Sequence, residues 1–209
     1  VERSRGLGDV YKRQQGRGSI GRCFDHFGTV WQGTVALCHP TCASASAILG
    51  SIMIYAIGIE FLGGNYRGWQ RQAHLTNTVQ ETLETAFTQV ANTPIEIIAA
   101  GRTDAGVHAS HMIAHFATNA QRPPYNWLRG VNSLLPNDIA VHSIHIMPDD
   151  FHARFSATAR RYHYITLPST HRPAILHGQV THHHADLDIV AMRLGCAQLL
   201  GWHNFTSFR

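Results

Sequence analysis

The chain has 209 residues, 44% apolar and 14% charged, which excludes an intrinsically disordered polymer and leaves room for one large domain or two small ones. Its formal charge is +4, yet residues 53–209 hold eleven arginines against ten acids, so net charge alone is weak support for a nucleic-acid partner. Lys12 is the only lysine among 17 basic residues, and arginine's planar fork suits phosphate and base stacking, although an arginine-rich codon bias explains the excess equally well.

Residues 1–52 lack a helix or strand period and read as a non-native or disordered tail, with the native start near Met53. Three of the four cysteines (Cys23, Cys38 and Cys42) lie there, Cys196 stands far away, and none forms a CxxC pair. This spacing predicts neither a disulfide framework nor a cysteine zinc site, and a reducing, cytoplasmic setting fits it. The longest apolar stretch, Ala43 to Phe61, is broken by Ser44, Ser46, Gly50, Ser51, Gly58 and Glu60, so no membrane span is expected.

Met53 to Phe61 is apolar and β-branched enough for a strand, and Leu62 to Ala73 is a glycine-rich loop. Thr78 and Glu81 stand at capping-box spacing, and Val79, Leu83, Ala86, Phe87 and Val90 follow on one helical face. Short strands are expected over Ile95–Ala100 and His111–Ala117, then a helix over Tyr125–Leu135 stopped by Pro136, then an alternating strand over Ile139–Met147. The order β-α-β-β-α-β predicts an α+β fold of ferredoxin-like type. Its antiparallel sheet would carry both helices on one face and leave the other free for a ligand. We therefore expect a first domain over 53–150 and the beginning of a second α+β domain over 151–209. In the latter, Arg160–Leu167 reads as a strand and Leu187–Ala197 as a helix, too little to close a layer, so the chain reads as truncated.

Chemistry concentrates in Gly101-Arg102-Thr103-Asp104-Ala105-Gly106-Val107-His108. A carboxylate two residues from a guanidinium is expected to stay ionised, and the flanking glycines permit tight backbone turns. Arg160-Arg161-Tyr162-His163-Tyr164 places aromatics beside arginines, a pattern suited to stacking on an unstacked base while guanidiniums hold phosphate. Phe151-His152-Ala153-Arg154-Phe155 adds another cation among aromatics, and Gly68-Trp69-Gln70-Arg71-Gln72 is either an RNA-contacting loop or a buried anchor. His108, His111 and His115, and the run His182-His183-His184, invite a metal, but strand spacing does not converge them on one ion. No Walker loop or GxSxG is present.

These strings, with Leu135-Pro136-Asn137-Asp138-Ile139, Asp149 to Tyr162 and Asn204 to Arg209, resemble the tRNA pseudouridine synthase A family, in family order across about 53–209. The resemblance implies Asp104 as catalytic nucleophile, Arg102 as its partner and occupant of the space left by a flipped base, and Tyr162 against the target uracil. Arg71, Phe151, His152, Ala153, Arg154, Phe155, Arg160 and Arg161 would contact RNA. The implied reaction is isomerisation of uridine to pseudouridine at positions 38–40 of the tRNA anticodon stem-loop, by a homodimer needing neither cofactor nor metal. One departure is Phe61-Leu62-Gly63, where the family usually has Tyr-Asp-Gly. The family also continues beyond Arg209 into the rest of its catalytic domain, so this fragment is expected to be inactive by itself. The alternative is a noncatalytic RNA-binding module.

Overall fold

The computed structural model describes residues 30–32, 52–74 and 76–208, with side chains outside 30–32 and 208. The expected tail therefore lies outside the described residues except for 30–32 and Ile52. The described residues divide into two compact units, one ending at residue 163 and the other beginning at residue 164.

The first unit contains β1 (Val30–Gln32), β2 (Met53–Phe61), α1 (Val79–Ala91), β3 (Ile98–Ala99), β4 (His108–Thr118), α2 (Pro124–Asn132), β5 (Ile139–Met147) and β6 (Arg161–Tyr162). Strands β5, β2, β4 and β3 pair antiparallel in that order, the arrangement a β-α-β-β-α-β chain adopts when each helix crosses the same face. β4 is long enough to share its outer edge. Its far half pairs with β3 (Ala99 opposite Ala114), and its beginning pairs in parallel with β1 (Trp31 opposite Ala109). β6 then adds antiparallel to β1, with Tyr162 opposite Trp31.

Period-two patterning assigns the faces. Tyr55, Ile57, Ile59 and Phe61 of β2 meet Met112, Ala114 and Phe116 of β4 beneath Leu83 and Phe87 of α1 and Trp127 and Val131 of α2. Tyr55 and Phe116 stack at 5.2 Å, and Phe87 sits 4.8 Å from Phe116. Thr78 caps α1 by accepting from Glu81 N–H at 3.3 Å. The capping box is displaced by one residue, because Glu81 accepts from Asn77 N–H rather than from the cap residue.

The opposite face is not free as the sequence suggested. Phe151 and Ala153 pack on Ala56, Ala100 and Ile113 in a second, smaller core. The remainder of that face is a groove of about 250 Å³ bordered by His111, His142 and His145. β5 carries an extra residue between Val141 and Ser143, and the resulting bulge presents His142 to stack on His111 at 4.4 Å.

The second unit holds β7 (Thr166–Pro168) and β8 (Thr181–His183), paired in parallel, and α3 (Ile189–Ala197), capped by Asp188. The strand expected over Arg160–Leu167 is thus two pieces, β6 and β7, separated at residues 163–165. None of α3's side chains is buried. Among the described residues no helix is long and apolar enough to cross a membrane.

Candidate active site

Asp104 lies in the connection from β3 to β4, exposed at the beginning of β4. The loop beneath it is tied down by backbone. Trp69 N–H donates to Thr103 O at 3.0 Å, and Gly106 N–H donates to Tyr66 O at 3.4 Å. Val107 N–H closes a turn on Asp104 O at 3.3 Å. At the loop's end, Gly63 N–H donates to His108 Nδ1 at 3.0 Å. Buried Trp69, 2% exposed, anchors the neighbouring loop in the main core, which settles its side chain as a packing element. That loop is in turn fixed to the start of α1, where Val79 and Gln80 N–H donate to Gly68 and Trp69 carbonyls.

A further layer supports these bonds. Tyr66 Oη donates to Asp138 Oδ1 at 2.7 Å, and Leu62 N–H donates to Asp138 O at 2.8 Å. Burial, then the hydrogen bond and negative charge of Asp138, push the Tyr66 phenol above its ordinary range. The Leu135–Asp138 motif therefore buttresses the Asp104 loop. Sequence reading missed Tyr66, Asp138 and His108 as parts of this support because their partners lie 45 to 72 residues away in the chain.

The sequence-predicted residues divide by environment. Arg102 and Asp104 are both exposed, and no ion pair joins them, so the expected pairing is not made in the free chain. Two exposed side chains two residues apart in a turn gain little from pairing in water. Positive φ is found at Gly106 and not at Gly101. Tyr162 is exposed on β6. Register aligns Tyr162, Trp31 and Ala109 across three strands, so its Cα lies roughly 10 Å from that of Ala109, two strand spacings away. The edge thus brings Tyr162 to the end of β4 that carries the Asp104 loop.

Arg71 pairs with buried Glu84 at 2.8 Å. Glu84 also accepts from Gln80 Nε2 and Ile97 N–H through its other oxygen. Phe151 and Ala153 are buried in the second core. His152 is half-buried, and Arg154, Phe155 and Arg161 are exposed, with the Arg154 guanidinium 5.7 Å from the Phe155 ring centre. Arg160 is also exposed, and its guanidinium donates to the Ala100 carbonyl. His115 Nδ1 accepts from Ala153 N–H at 3.2 Å. Burial and the neighbouring His152 lower the His115 pKa, partly opposed by its hydrogen bond to the Ile98 backbone. Among the described residues no group of three histidine, cysteine or acidic side chains is placed to hold a metal ion.

Residues 57–156, which contain the whole Asp104 loop and its supports, match the family model for tRNA pseudouridine synthase. The chain is 52% identical over 155 residues to tRNA pseudouridine synthase A of Acinetobacter baumannii, covering 74% of this chain and 58% of that protein. The resemblance to the tRNA pseudouridine synthase A family is established. The Acinetobacter baylyi protein of that name is 53% identical over 155 residues (74% of this chain, 57% of its own), and the Vibrio cholerae one 50% over 157 (75% and 59%). The chain thus spans somewhat under three-fifths of the length of these relatives.

Proposed function

We propose that this chain belongs to an enzyme that isomerises uridine to pseudouridine in tRNA, with Asp104 as the nucleophile. The supporting observation is an exposed carboxylate on a loop whose backbone is fixed on both sides, by Trp69 N–H to Thr103 O and by Gly106 N–H to Tyr66 O. Such a carboxylate is held for attack without reorganisation when substrate arrives.

The reaction exchanges one glycosidic bond for another. The N1–C1′ bond breaks, the uracil turns, and C5 bonds to C1′. The C5 proton leaves and N1 acquires one, so no net redox change occurs. The nucleotide must leave its stack to expose these atoms, at a cost of a few kcal/mol. Tyr162 offers an exposed ring for stacking, and Arg102, Arg154 and Arg161 offer exposed cations for phosphate. We assign uridines 38–40 of the anticodon stem-loop as targets, a homodimer as the working assembly and the cytoplasm as its location.

The test is tritium release from tRNA carrying 5-tritiated uridine. The expected result is release by the enzyme to which the chain belongs and none by its Asp104→Asn variant, with tRNA affinity within about threefold. Turnover by Asp104→Asn refutes the nucleophilic role. Tight tRNA binding without release by that enzyme favours the noncatalytic RNA-binding reading. Light scattering with and without tRNA tests the dimer.

A further inference from the structure

We infer that Arg160 is a positioning residue for the Asp104 loop rather than an RNA contact, an assignment that rests on the proposed reaction. Its Nε and Nη2 both donate to the Ala100 carbonyl, at 3.1 and 2.5 Å, and Nη2 also approaches the Arg154 carbonyl at 3.4 Å. A forked guanidinium on a single carbonyl is a directional clamp, stronger than a neutral hydrogen bond and held at two points.

The clamped residue is the pivot of the site. Ala100 is 1% exposed and is the last residue before Gly101. Its N–H donates to Ile113 O at 2.7 Å, so one backbone group is tied to β4 and the other to Arg160. Three residues separate it from Asp104, and one separates Arg160 from Tyr162. The clamp therefore couples the chain bearing the aromatic ring to the chain bearing the carboxylate. His115 makes the companion attachment lower on the sheet, accepting from Ala153 N–H while bonded to the Ile98 backbone. Between these two points, Phe151 and Ala153 fill the second core. Residues 151–160 thus form a strap across the sheet, and Arg160 is its terminal fastening on the loop.

Two chemistries make opposite demands on this side chain. A phosphate contact needs positive charge in solvent, which lysine supplies nearly as well as arginine. A clamp needs the fork, which lysine lacks. Arg160→Lys therefore discriminates, and Arg160→Ala, which removes both features, completes the series.

In the full chain, hydrogen exchange of amides 98–108 should quicken about tenfold or more in both variants. With tRNA, kcat should fall about 10- to 100-fold in both, the scale of misplacing a reacting group by about an ångström. KM and tRNA affinity should stay within about twofold. The inference is overturned if loop exchange is unaltered, or if Arg160→Lys is fully active while Arg160→Ala loses tRNA affinity in a salt-dependent way. Should Arg160→Ala fail to fold, Arg160→Lys alone carries the decision. The exchange measurement needs no turnover. An unaltered protein that fails to release tritium would therefore count against the proposed reaction while leaving the clamp decided.

Discussion

Replacing Gly68 or Gly106 by alanine separates backbone strain from the contact that supports Asp104. Both glycines have left-handed backbone, φ +86° and +81°, so an alanine at either site pays a similar conformational cost of about 1–2 kcal/mol. Their surroundings differ. A Cβ on Gly68 would lie 2.7 Å from Thr103 O, 3.2 Å from Asp104 C and 3.3 Å from Ala105 N. All three are backbone atoms, so no rotamer change relieves the overlap. A Cβ on Gly106 would meet nothing within 4 Å. Overpacking against fixed atoms costs a further ~1–3 kcal/mol. We expect Gly106→Ala to lose about 1–2 kcal/mol and Gly68→Ala about 2–5 kcal/mol. Urea unfolding followed by the fluorescence of buried Trp69 and Trp127 measures both. Because the strain is common to the pair, their difference isolates the contact. A difference below about 0.5 kcal/mol, the usual error of such additivity, would refute the claim that Gly68 seats the Asp104 loop.

Arg71→Ala should lower stability by roughly 1–3 kcal/mol, because it strips a cation from the buried Glu84 carboxylate; loss of tRNA affinity at unchanged stability would instead mark Arg71 as an RNA contact. Thr78→Ala should cost about 1 kcal/mol in the same urea assay through loss of the α1 cap. Acidification should destabilise the fold between pH 6.5 and about 4. Burial, then the neighbouring His111, lowers His142 to about 4, so the unfolded chain takes up its proton first and folding weakens as pH falls. His142 is itself exposed, so solvent screening keeps the effect small, and His142→Asn should flatten that part of the pH–stability curve measured by urea unfolding.

Local signals were legible where one face of an element is buried along its whole length. Met53–Phe61 and Ile139–Met147 have their expected bounds, the first an apolar run buried from Tyr55 to Ile59 and the second alternating from Ile139 to His142. The α1 stripe of Val79, Leu83, Ala86 and Phe87 is buried as expected. The strand expected over Ile95–Ala100 is shortened to Ile98–Ala99, because β4's outer edge offers it only Ala114 and His115. Arg160–Leu167 reads as one strand because aromatics and β-branched residues continue through it. In the structure, Arg160 bonds across to Ala100 while Thr166–Pro168 pairs with β8. The Arg102–Asp104 pairing was legible only as proximity in sequence, which says nothing about whether two exposed side chains in a turn face each other.

The site motifs carried more information than their residue types suggested. Gly68-Trp69 reads as either an RNA-contacting loop or a buried anchor, and its described contacts are a backbone seat for Thr103 and an anchor in the core. Leu135–Asp138 reads as a helix stop, yet it delivers the carboxylate that holds Tyr66 and, through Tyr66 O, the Gly106 end of the loop. Arg160 reads as a phosphate ligand, yet its guanidinium closes on Ala100. Three segments far apart in sequence thus bear on the Asp104 loop: Trp69 directly at Thr103, Asp138 through Tyr66, and Arg160 at Ala100 just before it. Preorganisation requires this, since each supporting group is spent on geometry before substrate binds and little reordering remains at the moment of reaction. The described contacts of Gly68-Trp69, Leu135–Asp138 and Arg160 thus lie with the Asp104 loop and the backbone beside it.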